Sequence, residues 1–227
     1  MAQAFEALEQ PEDALKAVEK AIPLSDRPLA MQQLRVRLLY KLYGPQMAIQ
    51  AIQLQLEGDQ LDPVLNSLLA DYWLELGETE NAVQSARRAL QTGQVDLPPT
   101  TQSHLHLLIG VHARHSGQLD QAIYHLNEAI HQTPNNMEAY LELGHTHQDR
   151  RQINQALEVY QMAVKIAPND FRPYFQAGLA FKDSKDYLES ETMLRRAAHL
   201  APNELNIHRQ LAAVVALNLV HNRRIAA

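Results

Sequence analysis

The sequence has no cysteine among its 227 residues. This excludes a disulfide framework and any zinc site built on thiolates. Aromatic residues make up only 6% of the chain, and no apolar run approaches the roughly 18 residues that a membrane-spanning helix needs. The first ten residues have neither a basic start nor an apolar core, so we predict no secretory signal. We therefore expect a cytoplasmic protein that does not insert into a membrane.

Basic charge is also scarce, with 20 Lys and Arg against 26 Asp and Glu and a net charge of −6. Sequence-independent nucleic-acid binding relies on a basic face, so we expect no nucleic-acid partner. The sequence contains no Gly-rich phosphate loop, nucleophile elbow or His-Glu-x-x-His pattern. The eleven histidines include His112 and His115, three residues apart, but no carboxylate or thiolate completes a ligand pattern around them. We predict no enzyme activity, no cofactor and no metal site.

The stretch from Asn135 to Pro168 shows what the chain does contain. Its apolar residues recur three and four positions apart in two blocks, which predicts two amphipathic helices. The segment between the blocks is short enough that the helices must fold back antiparallel. Small residues stand where the helix axes must approach each other. The positions that define the pattern are Tyr140, Leu143, Gly144, Ala156, Tyr160, Ala163 and Pro168.

The same pattern recurs with a period of 34 residues. Four positions stay in register: Pro134, Pro168 and Pro202; Gly110, Gly144 and Gly178; Ala129, Ala163 and Ala197; Leu126, Tyr160 and Leu194. The order of aromatic, Leu-Gly, Ala, aromatic, Ala and Pro resembles the tetratricopeptide repeat. The resemblance implies an all-α, right-handed superhelical solenoid of antiparallel helix pairs. It also implies a bacterial member of that family, or a domain cut from a longer protein, whose function is protein–protein interaction.

Counting the period along the chain divides it into units of one domain spanning residues 1–227. Phe5 would mark the first helix of an incomplete first unit, and a loop is expected where the spacing from Ala82 to Ala122 exceeds one period by six residues. We expect that loop to be a spacer or a contributor to ligand binding. The predicted units are residues 1–28 (partial), 29–62, 63–102 with a loop at 91–102, 103–136, 137–170, 171–204 and a terminal helix at 205–221.

The terminal helix is apolar almost all round from Leu211 to Val220. Such a helix must be covered by protein, and the end repeats of a solenoid normally carry a polar outer face. Two explanations stay open: the chain is a piece of a longer protein, or this end packs against another copy. For a homodimer, Leu217 and Val220 are the predicted contact residues.

In the family that this sequence resembles, the first helix of each pair lines the inner, concave surface, where ligands bind. Carrying those positions over predicts an apolar stripe bordered by cations, which suits a peptide or partner helix with apolar anchors and some acidic character. The asparagines and lysines with which chaperone-binding members hold a terminal carboxylate are absent from the matching positions. The predicted groove residues are Arg37, Tyr40, Leu107, Val111, Arg114, His115, Leu141, His145, Arg172, Phe175, Leu179 and Lys182.

The function that the sequence predicts is therefore a non-catalytic scaffold that binds a protein or peptide ligand in its concave groove. Two alternatives remain at this point. The array could be the substrate-docking or targeting region of a larger enzyme such as a glycosyltransferase, or it could be a self-associating assembly module.

Overall fold

The structure, a computed structural model, describes residues 10–24, 28–56, 62–91 and 97–225. These ranges contain α-helices and one short 3-10 helix, Ile22–Leu24, and no strand, which confirms the predicted all-α fold. The α-helices are α1 (Pro11–Ala21), α2 (Pro28–Tyr43), α3 (Pro45–Leu56), α4 (Pro63–Glu75), α5 (Thr79–Gln91), α6 (Pro99–His115), α7 (Leu119–Gln132), α8 (Met137–Asp149), α9 (Ile153–Ile166), α10 (Phe171–Asp183), α11 (Tyr187–Leu200) and α12 (Leu205–Ile225).

The chain divides into two compact units, residues 1–108 and residues 109–227, with the division inside α6. In the first unit α1 packs on α2, α2 on α3, α3 on α4 and α4 on α5. In the second unit the helices from α7 to α12 form a series in which each successive pair is in contact, and α10 also contacts α8 and α12. We call α2, α4, α6, α8, α10 and α12 the first helices of their pairs, and α3, α5, α7, α9 and α11 the second helices.

Several first helices begin at an Asp or Asn whose side chain accepts from free backbone N–H groups. Asp62 accepts from Val64 and Leu65 at 2.9 and 3.1 Å, and Pro63 follows at the first helical position. Because that position has no intrahelical acceptor for an N–H, proline costs nothing there. Asn169, which directly follows the repeat proline Pro168, is not the cap of α10; Asp170 caps it and accepts from the Arg172 N–H at 2.9 Å.

The predicted loop at 91–102 is wrong at both ends. Gln91 is the last residue of α5, and α6 already begins at Pro99, so that 99–102 are helical. Two prolines and two threonines suggested an extended loop, but Pro99 stands at the first position of a helix, where its fixed φ is compatible. The Gln102 side chain then donates to the Leu97 carbonyl at 2.8 Å and ties the start of α6 to the preceding residues.

The small residues of the repeat let paired helices approach closely. A Cβ placed on Gly144 would lie 2.2 Å from Cε1 of Tyr160, which is fully buried in α9. Gly110 and Gly178 meet Leu126 and Leu194 in the same way, at 2.8 and 2.7 Å. Ser190, which replaces the usual alanine, is buried and donates to the Gly178 carbonyl at 2.7 Å. The 34-residue register of small and large residues therefore encodes the helix packing.

The turns inside the pairs share one backbone conformation with positive φ. Gly77 and Gly117 adopt φ of 78° and 73°, while Arg151 and Lys185 adopt 60° and 66° at the equivalent turns. Side chains other than glycine reach this region at a cost, so Arg151 and Lys185 are held there by the helices on either side.

The predicted units differ from the described structure at both ends of the chain. Phe5 and the other residues before position 10 lie outside the described residues. Ala14 and Val18 of α1 are buried. The last helix, α12, runs to Ile225 rather than ending at 221. The described helices are all too short or too polar to cross a membrane.

Candidate functional site

In the first unit, Tyr40 lies in a cluster that joins two successive first helices. Its ring stacks on that of Tyr72, with centroids 4.6 Å apart and planes within 6°. Its hydroxyl donates to Glu75 at 2.8 Å, and this hydrogen bond is the main reason why the pKa of Tyr40 is raised. Burial raises the pKa of Tyr72 to about 12. Arg37, also predicted for the groove, is exposed on α2.

A second contact between first helices joins Asp71 to His104 of α6, at 3.0 Å. The hydrogen bond to Asp71 raises the pKa of His104 above its ordinary 6.5, although burial opposes the shift. Leu107, three residues further along α6, is partly buried. Tyr40, Arg37 and Leu107 all belong to the first unit.

The remaining predicted groove residues lie in the second unit, on three neighbouring first helices. Val111, His145 and Leu179 occupy the same place in successive repeats, and each is partly exposed. Phe175 lies one turn before Leu179 on the same face of α10 and is also partly exposed. We call these four residues together with Gln148 and Lys182 the first-helix surface. Apolar side chains at an accessible surface of this kind are typical of interaction sites.

Leu141 was expected on that surface and is instead in the core. Only 5% of it is exposed, and it belongs to a buried cluster with Tyr160 of α9 and Ala177 and Ala180 of α10. Because both alanines are small, the two first helices come close enough to cover the leucine. Leu141 is therefore not available to a ligand in this conformation.

Arg114 is the centre of a charged network rather than an unoccupied cation. Its Nε donates to Glu142 at 3.0 Å and its Nη1 donates to Asp149 at 3.1 Å, so two carboxylates of α8 hold it. His115, which is exposed, places its Nε2 3.1 Å from Nη2 of the same guanidinium. The pKa of Glu142 is lowered first by His145 and also by Arg114.

Glu142 is a residue of this site that was not predicted from the sequence. Its side chain is 23% exposed, and besides Arg114 it faces His145 Nδ1 at 3.7 Å. The signal was present in the spacing. Glu142 lies 28 residues after Arg114. Gln210 likewise lies 28 residues after Lys182, and the Lys182 ammonium donates to the Gln210 side chain at 2.9 Å. The repeat thus brings this pair of positions together twice.

A second cation predicted for the groove, Arg172, also forms ion pairs within the chain. Its guanidinium bonds both oxygens of Asp170, and it reaches Glu138 on α8. Asp170 is the main reason why the pKa of Arg172 is raised, and Arg172 in turn lowers the pKa of Asp170. Of the three predicted groove cations in the second unit, Arg114, Arg172 and Lys182, the two arginines are therefore neutralised within the chain.

His145 is fixed by the residues around it. Its ring meets the edge of Tyr160 with centroids 5.9 Å apart, and the Tyr160 hydroxyl donates to Gln148 at 2.6 Å. Burial raises the pKa of Tyr160 above its ordinary value. His145 and Gln148, two polar residues of the first-helix surface, are therefore both in contact with Tyr160.

The residues predicted for self-association are accessible on α12, with Leu217 41% and Val220 51% exposed. Two other leucines of α12, Leu205 and Leu219, have larger exposed fractions and were not named in the sequence prediction. Elsewhere, no group of three His, Cys, Asp or Glu side chains within the described ranges could hold a metal ion.

Comparison with known proteins gives one family match and many similar structures. Residues 113–180 match the tetratricopeptide repeat family. YrrB, a TPR protein with an unusual peptide-binding site, is 17% identical with a TM-score of 0.73, covering 86% of this chain and 97% of YrrB. MamA is 20% identical with a TM-score of 0.64, covering 74% of this chain and 95% of MamA.

The C-terminal part of a TPR repeat-containing protein from Cytophaga hutchinsonii is 14% identical with a TM-score of 0.68, and the match covers 99% of this chain and 89% of that one. No curated protein sequence matches the chain. At these identities the similar structures establish the fold.

Proposed function

We propose that this chain, a tetratricopeptide-repeat protein by its family match and its fold, is a non-catalytic scaffold that binds a partner protein as a peptide or helix. The binding site that we assign is the first-helix surface of the second unit. The observation that carries the proposal is the pair Phe175 and Leu179, two large apolar side chains left partly exposed one helical turn apart on α10.

The surroundings of this pair favour a ligand with matching apolar anchors. Side chains four residues apart on a helix lie about 6 Å from each other, which is the spacing that an amphipathic ligand helix offers in return. Val111 extends the apolar surface on α6, and His145 lies between it and Leu179 in the repeat register. Because the flanking polar groups already make contacts within the chain, we expect ligand binding to cost little further side-chain entropy.

The charge pairing narrows the class of ligand. Arg114 and Arg172 are each held by two carboxylates, so a strongly acidic ligand would have to compete with Glu142, Asp149 or Asp170. Lys182, the third predicted groove cation of the second unit, instead donates to a neutral group, the Gln210 amide. We therefore propose a ligand with two apolar anchors and at most one carboxylate beside them.

The experiment starts from peptides selected by display against the full chain, whose affinity is then measured by fluorescence anisotropy. Burying an apolar side chain contributes about 1.5–3 kcal/mol. Phe175→Glu and Leu179→Glu should each lower the affinity for the selected peptide at least about tenfold. Met162→Glu is the matched control, since Met162 is 53% exposed on the second helix α9.

Circular dichroism must first show that all three variants keep the helical content of the parent chain. Equal affinities for the parent, Phe175→Glu and Leu179→Glu would refute the assignment of the site. A loss of affinity in Met162→Glu alone would move the binding surface to the second helices.

A further inference from the structure

A cavity of about 380 Å³ lies in the first unit, where residues of α3, α4 and α5 meet. This volume falls at the lower end of the range for small-molecule sites. Its apolar part consists of Leu56 at the end of α3 and of Leu69 and Trp73 on α4. We call this space the α3–α5 cavity. It is separate from the first-helix surface, which belongs to the second unit.

The sequence of α5 accounts for the empty space. Ser85 lines the cavity and stands three residues after Ala82 in the second-helix pattern. Val159 and Met193 occupy the equivalent positions in α9 and α11, and Met193 packs against a buried cluster there. The Ser85 hydroxyl is already in use, because it donates to the Asn81 carbonyl at 2.8 Å. The small residue therefore leaves open a volume that a larger side chain fills elsewhere in the array.

The polar part of the cavity offers hydrogen-bonding groups to a ligand. Gln53, Asn81 and Gln84 each contribute an amide that can both donate and accept. Arg88 is the one charged side chain among the described lining residues, and its guanidinium makes no ion pair or hydrogen bond with any of the described residues. Arg114, by contrast, is held by two carboxylates. The cavity therefore combines one positive charge with neutral amides, in a chain whose net charge is −6.

We propose that the α3–α5 cavity binds a small aromatic carboxylate. A carboxylate matches the planar guanidinium of Arg88, which can donate two parallel hydrogen bonds to it. An aromatic ring matches Trp73, because aromatic rings stack favourably on one another. Leu56 and Leu69 are only 7% and 4% exposed, and they give that ring an apolar surface to cover. The amides of the lining can bond a polar group that joins the ring to the carboxylate.

Trp73 provides the measurement, because it is the only tryptophan of the sequence. Its fluorescence is recorded while N-acetyl-phenylalanine, which has an aromatic ring, an amide and a carboxylate, is added to the full chain. The emission should change saturably with a dissociation constant of about 1 mM or below.

Two related compounds test the chemistry of the ligand. N-acetyl-phenylalanine amide lacks the charge, so it should bind at least about tenfold more weakly because a charge-assisted hydrogen bond is lost. N-acetyl-alanine lacks the ring and should also bind at least about tenfold more weakly. Equal affinity of the parent chain for N-acetyl-phenylalanine and either compound overturns the proposal.

Three variants test the assignment of the residues. Arg88→Gln should bind the acid and the amide with equal affinity. Arg87→Gln is the matched control and should keep the preference for the acid, since Arg87 is the neighbouring exposed arginine of α5 and does not line the cavity. Ser85→Met should abolish binding, because it places in the cavity the residue that the array carries at Met193.

Circular dichroism must show that each variant keeps the helical content of the parent chain, and the two arginine variants decide the matter if Ser85→Met does not. Emission that shows no saturable change up to about 10 mM ligand overturns the proposal. An equal loss of acid binding in Arg88→Gln and Arg87→Gln also overturns it. None of these variants touches Phe175 or Leu179, so the result is independent of peptide binding.

Discussion

Alanine at Gly144 tests the packing of the repeat most severely. The added Cβ would lie 2.2, 2.6 and 2.7 Å from three ring carbons of Tyr160, whereas carbon atoms pack at about 3.5–4.0 Å. The ring is fully buried, its edge contacts His145, and its hydroxyl is bonded to Gln148 at 2.6 Å. It cannot yield without straining that bond.

The magnitude follows from three opposing effects. Overpacking a core costs about 1–3 kcal/mol, and weakening the Tyr160 hydrogen bond costs about 1 kcal/mol more. Alanine recovers about 1 kcal/mol because it favours the helix over glycine. We expect Gly144→Ala to lower the free energy of unfolding by about 1–3 kcal/mol.

Gly178→Ala is the matched comparison, since its added Cβ meets Leu194 Cγ and Cδ2 at 2.7 and 2.9 Å. Leucine has no hydrogen bond to lose, and its side chain can shift by rotation. The free energy of unfolding should therefore fall by at least about 1 kcal/mol less in Gly178→Ala than in Gly144→Ala. Urea unfolding followed by circular dichroism measures both. A Gly144→Ala variant as stable as the parent, or more stable than Gly178→Ala, would refute the close approach of α8 and α9.

Further predictions concern the core, a turn and a titrating pair. Ala163→Arg should lower the urea midpoint severely, because Ala163 is fully buried and a long charged side chain has no room there; an unchanged midpoint would contradict the packing. Gly117→Ala should cost about 1 kcal/mol in the same assay, since φ is 73° with no atom within 4 Å of the added Cβ, and a neutral result would show that the turn can relax. Asp71→Asn should lower the pKa of His104 toward 6.5 in an NMR titration, and an unchanged pKa would contradict the pairing. Because the folded pKa is raised, His104 stabilises the fold fully below about pH 6.5, and this contribution is lost as pH rises through the folded value.

The helix pairs could be predicted from the sequence because the small and large residues that pack against each other recur with a regular period. Gly144 and Tyr160 are 16 residues apart, as are Gly178 and Leu194, and each pair is in contact. A period fixes which residues are small and which are large, and so it fixes the helices and their partners. The start of α6 escaped prediction because proline is favoured both in turns and at the first position of a helix, and the residues around Pro99 do not decide between them.

The candidate site was harder to predict than the helices. Leu141 and Phe175 occupy equivalent positions, yet one is buried and the other partly exposed, because Leu141 is covered by the alanines of the following first helix. The pairing of Arg114 with Glu142 depends on how far long side chains reach between repeats. A pattern within one repeat carries no information on either point.

The central claim is that ligands bind to the first helices rather than the second, and photo-cross-linking measures this most directly. A photoreactive amino acid is placed at position 175 or, in a separate variant, at position 162, and each protein is irradiated with a peptide selected against the parent chain. Both positions are accessible, but only Phe175 belongs to the first-helix surface. We predict a covalent peptide adduct from position 175 and none above background from position 162. Adducts from position 162 alone would contradict the account.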